Sequence, residues 1–476
     1  MIKHLTEFIH GLINNKKVLI LGYGREGRST LPVVIEAGGA GAVAVADAKP
    51  VKDGLPEGVT AITGEDYLGC LNDFDVVFKS PGIVLDKDIA DYTCNIVSQM
   101  EVFFECFRDR IIGITGTKGK STTTTLLYHV LKSSGKDVLL AGNIGIPVFE
   151  IAGDMKDETT AVLELSCHQL EYMDVSPHMA IYLNLHEEHL DHYGTMAKYT
   201  AAKENIYRHQ KAGDKLYCLD SLRPQETLPM DVYTFRCGDD GDDMECASAG
   251  GNIGGVSEGA TDYRLVNDTI YYKAADNRSC EYKIPVDNIK LIGEHNYFDI
   301  AFVYAACRDC GITDEQFTKA LESYEPLPHR LQYVGTTNGI KWYDDSISTI
   351  DETTIQALNT LKDADTVLIG GMDRGISYKE LEQYLAHSAV KNIILMEASG
   401  RRILDEIKAM QDEFEAPERI HYVEHLEDAV SLAAAITGKG RSCVMSPAAA
   451  SYGIFRNFEE RGEVFKKLVC GMEKNA

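Results

Sequence analysis

The run Thr115-Gly116-Thr117-Lys118-Gly119-Lys120-Ser121, followed by Thr122, has the makings of a phosphate cradle. A glycine-containing turn that opens a helix aims successive backbone N–H groups at one point, and the helix dipole adds positive potential there. A lysine in such a turn reaches terminal phosphates, and the next hydroxyl can hold Mg²⁺. Lys120 and Ser121 occupy those places. The general pattern opens with a glycine where this chain has Ile114, so the match is inexact. Nucleoside triphosphate binding is the expectation.

Acids and imidazoles gather in two further runs. One is Glu164-Leu165-Ser166-Cys167-His168-Gln169-Leu170-Glu171; the other is Asn184-Leu185-His186-Glu187-Glu188-His189-Leu190-Asp191. Hard cations such as Mg²⁺ take oxygen ligands, and Glu164 fits that role. His189 reads as a ligand or a hydrogen-bond partner. His168, His186 and His192 read as supporting or surface residues. A separate glycine turn, Gly22-Tyr23-Gly24-Arg25-Glu26-Gly27, is followed by an acid, Asp47, placed where a dinucleotide fold keeps its ribose-binding carboxylate. Ser80-Pro81-Gly82 is another turn able to offer backbone donors to phosphate. A dehydrogenase is one reading of these turns, and the second nucleotide loop argues against it. Lys203 reads as an ordinary helix lysine.

These residues need elements to hold them. Buried runs at 17–21, 42–46 and 75–78 alternate with helical stretches, which predicts a parallel, doubly wound sheet. A new unit opens near Arg110. Residues 111–114 form a strand leading into the phosphate loop, residues 121–131 the helix after it, and 160–163 and 179–183 further strands. If these strands are parallel, the phosphate loop and both acidic runs leave the same sheet edge. Residues 238–260, rich in Gly, Asp and Ser, read as a surface excursion. Residues 324–330 carry two prolines and read as a linker. Beyond them, strands at 339–343, 366–369, 392–396 and 443–445 predict a third α/β unit.

Bulk properties narrow the classes. The chain has 476 residues, enough for about three domains. Its composition, 44% hydrophobic and 25% charged, is that of a soluble globular protein. A formal charge of −26, from 47 basic and 73 acidic residues, disfavours nucleic acid and anionic membranes as partners. No secretory leader and no apolar span is recognised, so a cytoplasmic location is expected. The 12 cysteines are scattered, as thiols in a reducing compartment, and Cys307 with Cys310 reads as two thiols on a packed helix.

In this order the motifs resemble the Mur ligase superfamily, and within it the MurD type. The resemblance covers nearly the whole chain. It rests on the 115–122 loop, the 164–171 run, His189-Leu190-Asp191-His192-Tyr193, Gly293-Glu294-His295-Asn296, Pro328-His329-Arg330-Leu331-Gln332, and the 446–452 and 457–462 segments. It implies a three-domain α/β fold. Residues 1–109 would be a Rossmann-like unit binding a UDP-linked substrate. Residues 110–325 would be a P-loop ATPase-like parallel sheet, and residues 326–476 a Rossmann-like unit that binds the amino acid and closes on ATP. The implied reaction is ATP-dependent ligation of glutamate to UDP-N-acetylmuramoyl-L-alanine through an acyl phosphate, in peptidoglycan precursor synthesis. Such an enzyme serves cell wall biogenesis, cell shape and cell division, and is expected to act as a monomer.

The resemblance also implies roles. Lys120, Glu164, His189 and Lys203 would be catalytic. Ser121, Glu164, His189 and Lys203 (as a carbamate) would hold Mg²⁺ or Mn²⁺. ATP would contact 116–122, Asn296, Arg330 and Asp345. Gly22, Gly24, Gly27, Asp47, Ser80, Gly82, Asn143 and Ser166 would bind the UDP substrate. Thr349, Arg374, Ser451 and Phe458 would surround the amino acid.

The chain departs from the family where the incoming amino acid is expected. The family motif Asn-Asp-Ser-Lys-Ala-Thr-Asn stands here as Asp344-Asp345-Ser346-Ile347-Ser348-Thr349-Ile350. A lysine and an asparagine have become Ile347 and Ile350, and a lost cation changes how a dicarboxylate is held. Asp299 replaces a second adenine-side asparagine. D-glutamate is the expected substrate. L-glutamate, used by a related group, remains an alternative, and a folylpolyglutamate synthase-like ligase is a third reading. That last enzyme would lack the N-terminal nucleotide unit.

Overall fold

The computed structural model describes residues 2–51, 54–144, 146–238, 261–273, 278–409 and 419–472. Its backbone carries three sheets, and its residues divide into two compact units. The first unit is Met1–Ile289 with Glu294–Tyr324; the second is Lys290–Gly293 with Glu325–Ala476.

Two sheets lie in the first unit. One has five parallel strands: β1 (Lys17–Leu21), β2 (Ala42–Asp47), β3 (Val59–Thr63), β4 (Val76–Lys79) and β5 (Asn95–Val97). Their order is β3-β2-β1-β4-β5. The two faces of β1 are both apolar, as a sheet covered on both sides requires. Val18 and Ile20 join a large core with Leu5, Ile9 and Phe103, while Leu19 and Leu21 pack with Leu71 and Val77. The order reverses direction between β1 and β4, so a crevice opens beyond their carboxyl ends, where ligands bind in such sheets.

The second sheet has nine strands in the order β14-β13-β12-β11-β10-β9-β6-β8-β7. They are β6 (Ile111–Thr115), β7 (Val138–Gly142), β8 (Thr160–Glu164), β9 (Met179–Tyr182), β10 (Lys215–Leu219), β11 (Asp231–Cys237), β12 (Thr261–Val266), β13 (Thr269–Lys273) and β14 (Ser279–Lys283). From β7 to β12 all pairings are parallel; β12, β13 and β14 form an antiparallel meander. The wholly parallel sheet expected from the sequence is thus extended and mixed. Aromatic pairs hold the extension: Tyr217 stacks on Tyr233 at 4.8 Å, and Phe235 on Tyr263 at 4.9 Å. One core runs through both sheets, from Val18 and Phe78 to Ala141, Leu163 and Ile206.

The second unit holds a six-stranded sheet in the order β15-β16-β20-β17-β18-β19. Its strands are β15 (Gln332–Thr337), β16 (Ile340–Asp344), β17 (Ala364–Gly370), β18 (Asn392–Met396), β19 (Ile420–Val423) and β20 (Ser442–Met445). Only the edge strand β15 runs antiparallel to its neighbour. Separate apolar clusters cover its two faces, one around Val367, Ile369 and Leu395 and one around Trp342, Leu368 and Phe465.

Among the described residues all cysteines are free, with Cys307 buried on the helix Glu294–Asp309. No described helix is long and apolar enough to cross a membrane. The expected surface excursion falls almost wholly on 239–260, outside the described residues.

Candidate active site

The phosphate loop leaves the carboxyl end of β6 and opens the helix Lys120–Ser133. Gly119 sits at its start with φ +81°, and a Cβ there would lie 2.6 Å from Asp299 Oδ1, so only glycine fits. Asn184, just past β9, braces the loop. Its Oδ1 accepts from Lys118 N at 2.8 Å and Thr117 N at 3.1 Å, and its Nδ2 donates to the Lys118 carbonyl at 3.1 Å. Thr117 Oγ1 accepts from His186 N at 2.9 Å and lies 3.1 Å from the buried Tyr199 hydroxyl. Lys120 Nζ bends back over the loop, donating at 2.9 Å to the carbonyls of both Gly116 and Thr117. Burial lowers its pKa, opposed by the nearby Glu164 and Glu188.

Lys203 arrives from a different element, the helix Met196–Arg208, capped by Thr195. It is 1% exposed, and its Nζ donates to the same Gly116 carbonyl at 2.8 Å. Burial, with the Lys120 ammonium beside it, lowers its pKa to about 7. The plain helix lysine of the sequence is therefore a buried amine on the phosphate loop.

Glu164 ends β8, next to β6 in the sheet, as parallel strands require. It is 1% exposed. Oε1 accepts from Asn143 Nδ2 at 2.7 Å, while Oε2 is buried without a hydrogen-bond partner. A buried carboxylate oxygen left unsatisfied is costly unless something else completes it. Ser166 follows and caps the short helix Cys167–Leu170, its Oγ accepting from Gln169 N. His189 takes a left-handed backbone, φ +57°, at the start of Leu190–Tyr193. Its ring packs 5.0 Å from that of His168 and 6.1 Å from Tyr199, and its Nε2 is 3.9 Å from Glu188. His192 is 3.1 Å from Glu171. Among the described residues no three His, Cys, Asp or Glu side chains form a ready-made metal site. Asn296 and Asp299 are buried on the helix Glu294–Asp309.

The other turns meet at the first sheet. Gly22, φ +86°, leaves β1, and a Cβ on it would lie 2.9 Å from Ser80 Cβ. Ser80 Oγ donates to the Gly22 carbonyl at 2.9 Å, joining the turns after β1 and β4. Asp47, at the end of β2, accepts from Tyr23 N at 2.7 Å and Lys49 N at 2.8 Å. Its carboxylate therefore fixes the Gly22–Gly27 turn. Gly24 caps the helix Arg25–Ala37, Gly27 is buried within it, and Gly82 has open space around it.

In the second unit, Asp345 follows β16 and is buried. It accepts from Ser348 Oγ at 2.6 Å, Ser446 Oγ at 2.7 Å and Leu331 N at 2.9 Å. Burial raises its pKa to about 6 against those hydrogen bonds. Arg330 lies between His329 and Leu331, both at positive φ, and its Nε is buried without a partner. Arg374 donates to the Thr349 carbonyl at 2.6 Å. Ser346 Oγ donates to the carbonyl of Phe458, and the fully buried Arg461 donates to Ser346 at Oγ (3.0 Å) and at its carbonyl (2.8 Å). Ser451 is buried. Ile347 and Ile350 are half-buried, and Ile350 starts the helix Asp351–Thr360 without a side-chain cap.

A family model described as the Mur ligase middle domain matches residues 114–307, and one described as the Mur ligase, glutamate ligase domain matches residues 329–449. The chain belongs to the Mur ligase family. Among Mur ligases, the UDP-N-acetylmuramoylalanine–D-glutamate ligase of Acetivibrio thermocellus is 32% identical over 475 residues, covering 97% of each chain. That of Geobacillus kaustophilus is 33% identical over 468 residues, covering 96% of this chain and 97% of its own. Two solved Mur ligases from Thermotoga maritima share the fold. The UDP-N-acetylmuramate–alanine ligase MurC has a TM-score of 0.55 at 18% identity, covering 97% of this chain and 100% of its own. MurF, solved in complex with ADP, has a TM-score of 0.55 at 19% identity, with 98% and 97% covered.

Reading the sequence for Mur ligase chemistry missed Asn184, Tyr199 and Arg461. Asn184 had a usable signal, an amide just after a strand beside the phosphate-loop strand. Arg461 stood within the 457–462 segment that carries the resemblance, but no role was attached to it.

Proposed function

We propose that this chain is an ATP-dependent ligase that joins D-glutamate to UDP-N-acetylmuramoyl-L-alanine in peptidoglycan precursor synthesis, in the cytoplasm and as a monomer. The observation that carries the reading is the meeting of Lys120 and Lys203 on one carbonyl, Gly116 O, at the sheet edge where Glu164 keeps a buried oxygen without a partner. The full-length relatives named for D-glutamate ligation support the substrate.

In this reading the substrate carboxylate attacks the γ-phosphorus of ATP, a C–O–P linkage forms and ADP leaves. The glutamate amine then attacks the acyl carbon, phosphate departs and the amine loses its proton. Residues 116–122 cradle the triphosphate, with Lys120 set against charge that grows on the transferring phosphoryl. Asn296, Arg330 and Asp345 complete the ATP contacts. Gly22, Gly24, Gly27, Asp47, Ser80 and Gly82 cradle UDP, with Asn143 and Ser166 toward the muramoyl end. Thr349, Arg374, Ser451 and Phe458 take the amino acid. The segments 1–109, 110–325 and 326–476 divide these tasks.

The donor set suits Mg²⁺ or Mn²⁺: Glu164 Oε2 lacks a partner, Ser121 lies in the first turn of the phosphate-loop helix, and His189 packs against Tyr199, whose hydroxyl meets Thr117 of the loop. Lys203 would join them as a carbamate. An amine adds CO2 only when neutral, and its lowered pKa leaves much of Lys203 neutral near pH 7. A bound cation there would neutralise phosphoryl charge. The first sheet, with its own glycine turn, speaks against a folylpolyglutamate synthase-like ligase. L-glutamate is the second reading, favoured by isoleucine at 347 and 350.

The test is phosphate release by the purified chain. It should require ATP, UDP-N-acetylmuramoyl-L-alanine and glutamate together. D- and L-glutamate assayed side by side assign the isomer. Release that ignores both and answers to another amino acid would overturn the reading.

A further inference from the structure

The loop 371–376 leaves β17, carries Arg374 and leads to the helix Lys379–His387. Its first half is pinned beside the sheet. Gly371 N donates to Ser399 Oγ at 2.9 Å, and Met372 N to the Ala450 carbonyl at 2.8 Å. Its second half is held by another arginine, Arg402, on the helix Glu397–Ala409. Arg402 Nε and Nη2 donate to the two Asp373 oxygens at 2.8 and 2.9 Å, and Nη2 also donates to the Ile376 carbonyl at 2.6 Å. Asp373 Oδ1 accepts in turn from Gly375 N at 2.9 Å. The residue before Arg374 and the two after it are therefore all tied to one guanidinium.

That guanidinium is itself fixed. Its Nη1 donates at 3.0 Å to Glu406, one helical turn on, and its plane lies 4.9 Å from the centre of the Tyr378 ring. Paired N–H donors on a carboxylate are both strong and directional. They hold the Asp373 carboxyl below the usual carboxylate range. Gly375 has φ +71° and open space where a side chain would be, so hydrogen bonds rather than packing set the course of the chain there.

We propose that Arg402 is a positioning residue for capture of the amino acid: by clamping Asp373 and Ile376 it holds the loop so that Arg374 faces the incoming carboxylate. The assignment rests on the proposed function, in which Arg374 takes the amino acid. The lysine of the family motif is Ile347 here, so more of the amino acid's charge falls to Arg374. A charged side chain on a loop is useful only when its supporting contacts fix its direction.

Steady-state kinetics of the full chain, with each substrate varied in turn, tests it. Arg402→Met removes the clamp and leaves Arg374 in place. The KM for glutamate should rise about tenfold, the worth of one charge-assisted contact. The kcat and the KM for ATP and for UDP-N-acetylmuramoyl-L-alanine should stay within about twofold, a split that a merely structural brace would not produce. Arg402→Lys offers a point charge in place of a fork and should recover only part of the loss. Asp373→Asn should shift the glutamate KM in the same direction, and it decides the matter if Arg402→Met does not fold. Added to Arg374→Met, Arg402→Met should raise the glutamate KM no further. A further full rise in that background, an equal rise in every KM, or an unchanged glutamate KM in both Arg402→Met and Asp373→Asn overturns the clamp. If the unaltered chain turns over neither glutamate isomer, the proposed function fails and the clamp with it. An active unaltered chain with indifferent Arg402 and Asp373 variants sinks the clamp alone.

Discussion

The Lys203 Nζ lies 2.8 Å from the Gly116 carbonyl oxygen, which also accepts from Lys120 Nζ at 2.9 Å. Two cationic side chains from two helices thus share one acceptor in a buried site. Burial lowers the basicity of both, and the Lys120 ammonium adds to the cost of charging Lys203.

That neutral amine should be open to CO2. With ¹³C-labelled bicarbonate, a carbamate resonance is expected in the wild-type chain and absent in Lys203→Arg. Withdrawal of CO2 should slow turnover by roughly tenfold or more, if a missing anionic ligand costs what a charged contact usually does. The loss should be smaller at pH 6 than at pH 8, because protonation below about 7 already blocks the addition. A wild-type spectrum without the resonance would sink the idea.

Glu164→Gln separates stability from activity. The substitution preserves shape and removes a charge whose Oε2 has no protein partner. The unfolding midpoint should stay level or rise, as with other strained functional sites. Phosphate release should fall about 100-fold or more, with a higher Mg²⁺ requirement. Equal Mg²⁺ dependence in the two proteins would remove Glu164 from the metal set.

Lys120→Ala should cut phosphate release by roughly 1,000-fold, in line with the loss of a preorganised charge on a transferring phosphoryl. Binding of the UDP-linked substrate, measured by calorimetry, should persist. Undiminished turnover would mean that the 115–121 loop does not hold the reacting phosphates.

Asp345 makes a pH prediction. Its folded pKa is raised to about 6, whereas an unfolded aspartate titrates near about 3.9. Between these values the folded chain binds a proton that the unfolded chain does not. Asp345 therefore favours folding fully below about pH 4, and that contribution is lost as pH rises through about 6. Asp345→Asn should flatten this slope, a difference of about 2–3 kcal/mol across the window by chemical unfolding. Parallel pH curves for the two proteins would show that the carboxyl titrates normally.

Ile347→Lys restores the cation that the family motif carries. The KM for glutamate should fall about tenfold while that for ATP holds. An unchanged value would indicate that Arg374, held on the Thr349 carbonyl, already supplies the charge.

Much of the site was legible because parallel strands deliver their carboxyl ends to one edge. The sequence put the phosphate loop, Glu164 and the Asn184 run at one edge of a parallel sheet, and the pairing of β6 with β8 and β9 brings them side by side. Lys203 was not legible. In a helix with lysines at 198 and 203 and a glutamate at 204, nothing local distinguishes a buried amine from a solvated one. The distinction comes from Gly116, 87 residues away. The β10–β14 extension was missed for a related reason. Its outer strands are half-buried and polar, and they are held by cross-strand aromatic pairs rather than by a continuous apolar run. Asp47 has a structural task that its place in the sequence did not announce: its carboxylate accepts from the Tyr23 and Lys49 backbone amides and so fixes the glycine turn.

Gln169 gives the first two sheets a shared fixed point, tied to Glu26 on one side and Ser166 on the other. Because a single core also runs through both, the gap between the Gly22 turn and Glu164 has a set length. On the proposed function, that set length would make the pair of sheets a caliper: a UDP-sugar whose carboxylate stops an amino acid short should bind by its nucleotide and leave its reactive end out of reach.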